Sequence, residues 1–151
     1  MSTPHIIAGE ARLWCARRSV DRVRSLTVVL LANGWGESRL KADAIGDGGA
    51  AFGLFQANLG GLGGEWVRAG GTKEQLMNPY VNTRLILFEA ARQRPFLDAL
   101  SNGSLADAVR TFVYYVERTA DKAGDSQERI GFARYFAGGA DPYTIQCPQY
   151  R

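Results

Sequence analysis

The chain has 151 residues, 46% of them apolar and 22% charged, with a formal net charge of +3. That length suits one domain, spanning 1–151, with a real core. The mild charge, with no run of lysines or arginines, speaks against a nucleic-acid footprint and fits either ordinary solubility or contact with an anionic polymer.

No apolar run reaches the ~18 residues of a membrane helix. The best, SLTVVLLA at 25–32, is short and follows RSVDRVR. The opening MSTPHIIAGEARLW lacks the basic-then-apolar order of a secretory leader, so synthesis in a cytoplasm without a signal peptide is expected. Cys15 and Cys147 are too few for a disulfide framework. Reduced thiols are favoured, with Cys15 buried on a helix, and pairing of the two is left open. His5 is the one histidine. Ser-His-Asp or Cys-His chemistry would have to run through it, and zinc would lack its commonest ligand. An enzyme of this composition works with carboxylates, and no metal or organic cofactor is expected.

The first predicted helix covers 6–18, with Ile7, Ala11, Trp14 and Cys15 on one stripe. Ser19 is the expected cap of a second, in which Val20, Val23, Leu26, Leu30 and Leu31 recur at helical steps and whose end points at Gly34, Trp35, Gly36 and Glu37. Residues 41–71 are too glycine-rich for one long helix. GLGG at 61–64 and AGG at 69–71 read as turns, 44–54 as a short hairpin, and FGLFQANL as the site of a helical turn. Asn78-Pro79 starts another helix, with Val81, Leu85, Phe88 and Ala91 inward and a stop near Pro95. Ser104 opens the next, with Asp107 as its capping-box acid and Leu105, Ala108, Val109, Phe112, Val113 and Val116 in the core. Ser126 opens the last, through Ile130, Ala133 and Phe136 to the glycines at 138–139, and an extended tail follows. The fold class is α+β, mainly helical, with a small glycine-rich insertion after the second helix.

Two carboxylates, one at the end of the second helix and one in that insertion, are the candidates to carry the chemistry. Glu37 ends a buried helix beside Trp35 and glycines. A carboxyl against apolar walls resists ionisation and is prepared to donate a proton. Asp47, flanked by Gly46, Gly48 and Gly49, is the natural second carboxylate. Asp43 is nearer in sequence but stands among Lys41 and alanines. Taken singly, each residue has a plain structural explanation, as a solvated helix-end charge or a D-G-G turn. The compact apolar run AFGLFQ directly after the glycines argues for a rigid cradle instead.

Glu37-Ser38, followed by Gly46-Asp47-Gly48-Gly49-Ala50-Ala51-Phe52-Gly53-Leu54-Phe55-Gln56, resembles the goose-type lysozymes, the soluble lytic transglycosylases and, most closely in style, the lysozyme domains of bacteriophage tails. The resemblance implies a lysozyme-like fold that cleaves peptidoglycan between N-acetylmuramic acid and N-acetylglucosamine. It implies Glu37 as catalytic acid, Asp47 as the water-positioning aspartate, and Ser38, Gly53, Leu54 and Gln56 as shaping the glycan groove. Where goose-type enzymes carry a further aspartate, this chain has Asn58, which can hydrogen-bond water but cannot act as a base. VYYVERTADKAG at 113–124 is similar to a second segment of the phage tail domains, with Thr119 in place of proline. Tyr114, Tyr115, Glu117 and Arg118 either face the groove, or Tyr115 and Val116 are core and Glu117 and Arg118 form a helix-end pair. Trp35 and Trp66 carry the same ambiguity between core and sugar platform.

Hydrolysis uses water, whereas a lytic transglycosylase uses the sugar's own 6-hydroxyl and generally needs one glutamate. Asp47 tilts the expectation toward hydrolysis. The alternative from another class is an inactive virion structural or wall-binding protein with a lysozyme fold, against which the retained Glu37 argues. The implied partners are bacterial peptidoglycan and phage tail or baseplate proteins, with no nucleic acid and no membrane. The implied place of action is the virion tail or the cell wall after release from the host cytoplasm.

Overall fold

The computed structural model describes residues 2–138; Cys147 and the predicted extended tail lie outside them. Helix α1 (Thr3–Arg18) buries Ile7, Ala11, Trp14 and Cys15, the stripe expected from the sequence. Burial pushes the Cys15 thiol up, which keeps it protonated and unreactive. Ser19 does not open the second helix. It ends the first in the left-handed conformation (φ 55°), and the Val20 amide bonds back to Cys15 O at 2.9 Å, a helix stop that leaves a loop before the next element.

Helix α2 (Val23–Ser38) is buried on nearly every side, from Leu26 to Trp35, because α1, α6 (Leu105–Thr111) and α7 (Lys122–Ala137) all pack on it. Its length carries Trp35, Gly36 and Glu37 as helical residues. A three-stranded antiparallel sheet follows: β1 (Ile45–Gly46), β2 (Ala51–Phe52) and β3 (Ala57–Asn58), in that order. Ile45 pairs with Phe52, and Ala51 with Asn58. The predicted hairpin is therefore present, but FGLFQANL forms a tight turn and β3 rather than a helical turn.

GLGG at 61–64 is not a turn; it opens α3 (Leu62–Arg68). A Cβ on Gly63 would stand 2.9 Å from Ala57 O, and one on Gly64 2.2 Å from Leu59 O, so these glycines let a helix lie directly on β3. The AGG segment does turn, with Gly70 at φ +102°.

Helix α4 (Pro79–Ala90) starts at its predicted cap, the Asn78 side chain accepting from the Tyr80 and Val81 amides. Its inner face differs from the expected one: Asn82, Thr83, Ile86, Leu87, Glu89 and Ala90 are buried, while Phe88 is 62% exposed. Asn82 and Glu89 tolerate burial because they are bonded, Glu89 accepting from Gln93 Nε2 at 2.8 Å. Asn82 donates to Phe52 O and Leu76 O, each at 2.9 Å, and accepts from Phe55 N at 2.8 Å, tying the sheet to α4. Pro95 does not simply end this helix; it sits in the first turn of α5 (Arg94–Asn102), where proline is well suited.

Ser104 and Asp107 form the expected capping box of α6, and Ala108, Val109, Phe112, Val113 and Val116 are buried. Past Thr111 the helix widens into a π-helical stretch, Phe112–Glu117, a geometry often found at functional sites. Helix α7 starts earlier than predicted, with the Asp121 side chain accepting from Gly124 N at 3.1 Å, so Ser126 lies buried inside it.

Candidate active site

The ends of α2, the π stretch and α7 meet the sheet around a cleft of about 900 Å³. Glu37, Asp47, Gln56, Asn58, Glu117, Arg118, Asp125 and Arg129 are among the residues that line it.

Glu37 is presented by the last turn of α2. Its Oε1 accepts from Arg129 Nη2 at 2.8 Å, and Arg129 Nη1 reaches Asp125 Oδ1 at 3.3 Å. The Arg129 side chain is 4% exposed and that of Glu37 20%. Gly36 makes room for this crossing, since a Cβ there would stand 2.3 Å from Arg129 Nε. Burial raises the Glu37 carboxyl above its ordinary range; the Arg129 charge and a hydrogen bond with Glu117 pull the other way, and Asp125 and Glu128 add to the rise. Glu117 is pushed well above the carboxylate range, by burial first and then by the Glu37 charge.

On the sheet side, Asp47 is exposed at φ 51°, and its Oδ2 accepts from Asn58 Nδ2 at 2.7 Å. Asn58 Oδ1 accepts in turn from Gly60 N at 2.8 Å. Gln56 donates through Nε2 to Gly53 O at 2.9 Å and Ala44 O at 3.2 Å, which pins the hairpin. The packing is tight there, because a Cβ on Gly46 would stand 2.3 Å from Gln56 Oε1.

Most of the other residues singled out in the sequence, though not Arg118, stand away from the cleft. Ser38 is buried, its hydroxyl donating to Leu54 O at 2.8 Å and to Gly34 O at 3.1 Å, so it fastens α2 to the turn after β2. The Leu54 side chain is fully buried. Gly53, at φ +82°, passes so close to the turn before α4 that a Cβ would meet Leu76 O at 2.2 Å. Tyr114 and Tyr115 are exposed without lining the cleft, so Tyr115 is not core, whereas Val116 is. Arg118 does not pair with Glu117; its nearest carboxylate is Glu89, at 3.8 Å. Trp35 is core, under the Arg39 guanidinium, and Trp66 donates its ring N–H to Thr72 O at 3.1 Å.

Sequence reasoning missed Arg129 and Asp125. The signal was available: Arg129 falls on the Ser126–Ile130–Ala133 stripe, and an arginine on a core face needs a buried acid to meet it. Among the described residues, no three His, Cys, Asp or Glu side chains gather as a metal site, and no helix is long and apolar enough to cross a membrane.

Neither the curated proteins nor the solved structures contain a match to this chain. The family described as phage tail lysozyme matches residues 27–138, which take in α2, the sheet, the π stretch and α7, and with them every cleft residue named above. The chain thus belongs to the phage tail lysozyme family, whose relationship makes it a peptidoglycan-degrading enzyme.

Proposed function

We propose that the chain hydrolyses the β-1,4 bond between N-acetylmuramic acid and N-acetylglucosamine, with Glu37 as general acid and Asp47 positioning the attacking water. The observation that carries this reading is the setting of Glu37: a cleft carboxyl, largely desolvated and raised by burial, with one oxygen held by Arg129. Such an acid keeps its proton closer to neutral pH and can pass it to a glycosidic oxygen as the bond to the sugar breaks. Asp47 lines the same cleft and remains exposed, as suits a group that orients water. Asn58 and Gln56 act by holding Asp47 and its hairpin in place. We place the action at the bacterial cell wall, delivered by a phage particle in which tail or baseplate proteins are the neighbours.

A second reading is lytic transglycosylation, with the sugar's 6-hydroxyl replacing water and Glu37 alone supplying the acid. The observation in its favour is that Asn58 already occupies Asp47 Oδ2, an oxygen that a water-activating base would use.

Digestion of purified sacculi by wild type and Glu37→Gln, with products resolved by mass spectrometry, separates these readings. Products ending in reducing muramic acid are expected, and Glu37→Gln is expected to lose at least ~100-fold in rate while remaining folded. Products lighter by one water would replace hydrolysis with transglycosylation. Undiminished activity in Glu37→Gln would remove Glu37 as the acid.

A further inference from the structure

Glu117 sits at the C-terminal end of the π stretch, and both of its carboxyl oxygens are shut off from solvent. No N–H or O–H donor of another residue among those described bonds either oxygen. The carboxyl that faces it across the same cleft is that of Glu37. Two carboxyl groups bond each other only if one supplies a proton, and a buried, unpartnered carboxylate is costly. The Glu37 side of the pair already receives the Arg129 guanidinium at 2.8 Å, so once Glu37 has given up its proton the negative charge rests on Glu37 and the remaining proton on Glu117.

We infer that Glu117 is a positioning residue that stays protonated through the reaction and donates its carboxyl hydrogen to Glu37, sharing with Arg129 the carboxylate that forms when Glu37 gives up its proton. This rests on Glu37 being the acid. The atoms balance simply: the Glu37 proton passes to the leaving sugar oxygen, the glycosidic bond breaks, and the Glu117 proton does not leave. The other charged groups facing the pair are Asp125, Glu128 and Arg129 from α7, with Asp47 and Arg118 farther along the same cleft. Glu117 closes the π stretch with its carboxyl buried, while Arg118, at φ 55°, reaches toward Glu89.

The test is the alkaline limb of the pH–rate profile in Glu117→Leu and Glu117→Gln, with Glu37→Gln run beside them. Leucine removes the donor, so the limb moves to higher pH, by roughly one unit, and the rate falls. Glutamine restores a donor of similar shape and brings the limb back toward the wild-type position. A limb that moves to lower pH in both variants would mean that Glu117 is an ionised carboxylate, and the inference fails. A limb unmoved in both would make Glu117 merely structural, and it fails again. A carboxyl ¹³C titration of the wild-type protein decides the matter without relying on the leucine variant: Glu117 is expected to show a protonated acid at neutral pH, and an ionised signal overturns the proposal. If Glu37→Gln keeps its activity, the parent reading falls instead, whatever the Glu117 variants do.

Discussion

Glu37 and Asp47 line one cleft but stand on walls of different construction. Glu37 is carried by a helix buried on nearly every side, is met by an arginine 4% exposed, and faces the buried Glu117 carboxyl across the cleft. Asp47 stands in a three-residue 3₁₀ turn between two-residue strands, is exposed, and is held by one amide, that of Asn58. In the proposed mechanism, environment assigns the roles of two otherwise similar carboxylates. The helical wall strips water from Glu37 and raises its carboxyl, while on the sheet wall Asp47 stays exposed and Asn58 fixes its direction.

If that contrast is right, damage to the helical wall has the larger effect. Gly36→Ala puts a methyl group where the Arg129 guanidinium now lies. We expect a loss of about 1–3 kcal/mol in denaturant unfolding, together with activity lost by more than tenfold; wild-type turnover in a folded Gly36→Ala variant would show that the crossing is incidental. Asn82→Ala attacks the seam between the two walls. It leaves Phe55 N, Phe52 O and Leu76 O without their partner, and unfolding should lose about 1–3 kcal/mol. A protein of unchanged stability would mean that the sheet does not depend on α4.

The pH dependence of stability sharpens the same contrast. Burial raises both Glu37 and Glu117 in the folded chain. Raised acids contribute stability that is fully present below the ordinary glutamate value of 4.5 and is lost as pH rises through their higher folded values. Glu117→Gln cannot ionise, so its Tm relative to wild type should improve toward high pH and show no such gain well below 4.5. A Tm difference that stays flat across this range would mean that Glu117 is not raised. Asp47→Asn should leave Tm within a degree or two and lower hydrolysis by a smaller factor than Glu37→Gln; full hydrolytic activity would return Asp47 to a turn role. The smallest effect is expected from Tyr114→Ala with Tyr115→Ala, since neither ring lines the cleft: sacculus digestion should change by less than about twofold.

Much of the helical wall was legible from residue order alone. The periodicity of α1, the Asn78-Pro79 start, the Ser104–Asp107 box and the position of Glu37 after a buried helix are local matters of hydrogen-bond geometry and side-chain spacing, and they need no distant partner. The Glu37, Asp47 and Gln56 pattern was likewise readable because it lies within twenty residues of chain. What only the tertiary structure decided concerns groups brought together from far apart. Arg129 lies 92 residues from Glu37, and Asn82 27 residues from Phe55. Glycine misled for the same reason: Gly63 and Gly64 read as a turn by composition but serve a helix-on-sheet contact visible only once β3 is in place. Local propensity is a property of a few neighbouring residues, so the sequence determined most of the helices, the Asn78 and Ser104 caps, and the place of Glu37 at a helix end. The burial of a carboxyl, and hence its readiness as an acid, depends on what is packed around it, and that was decided by α7 packing on α2 and bringing Arg129 to Glu37.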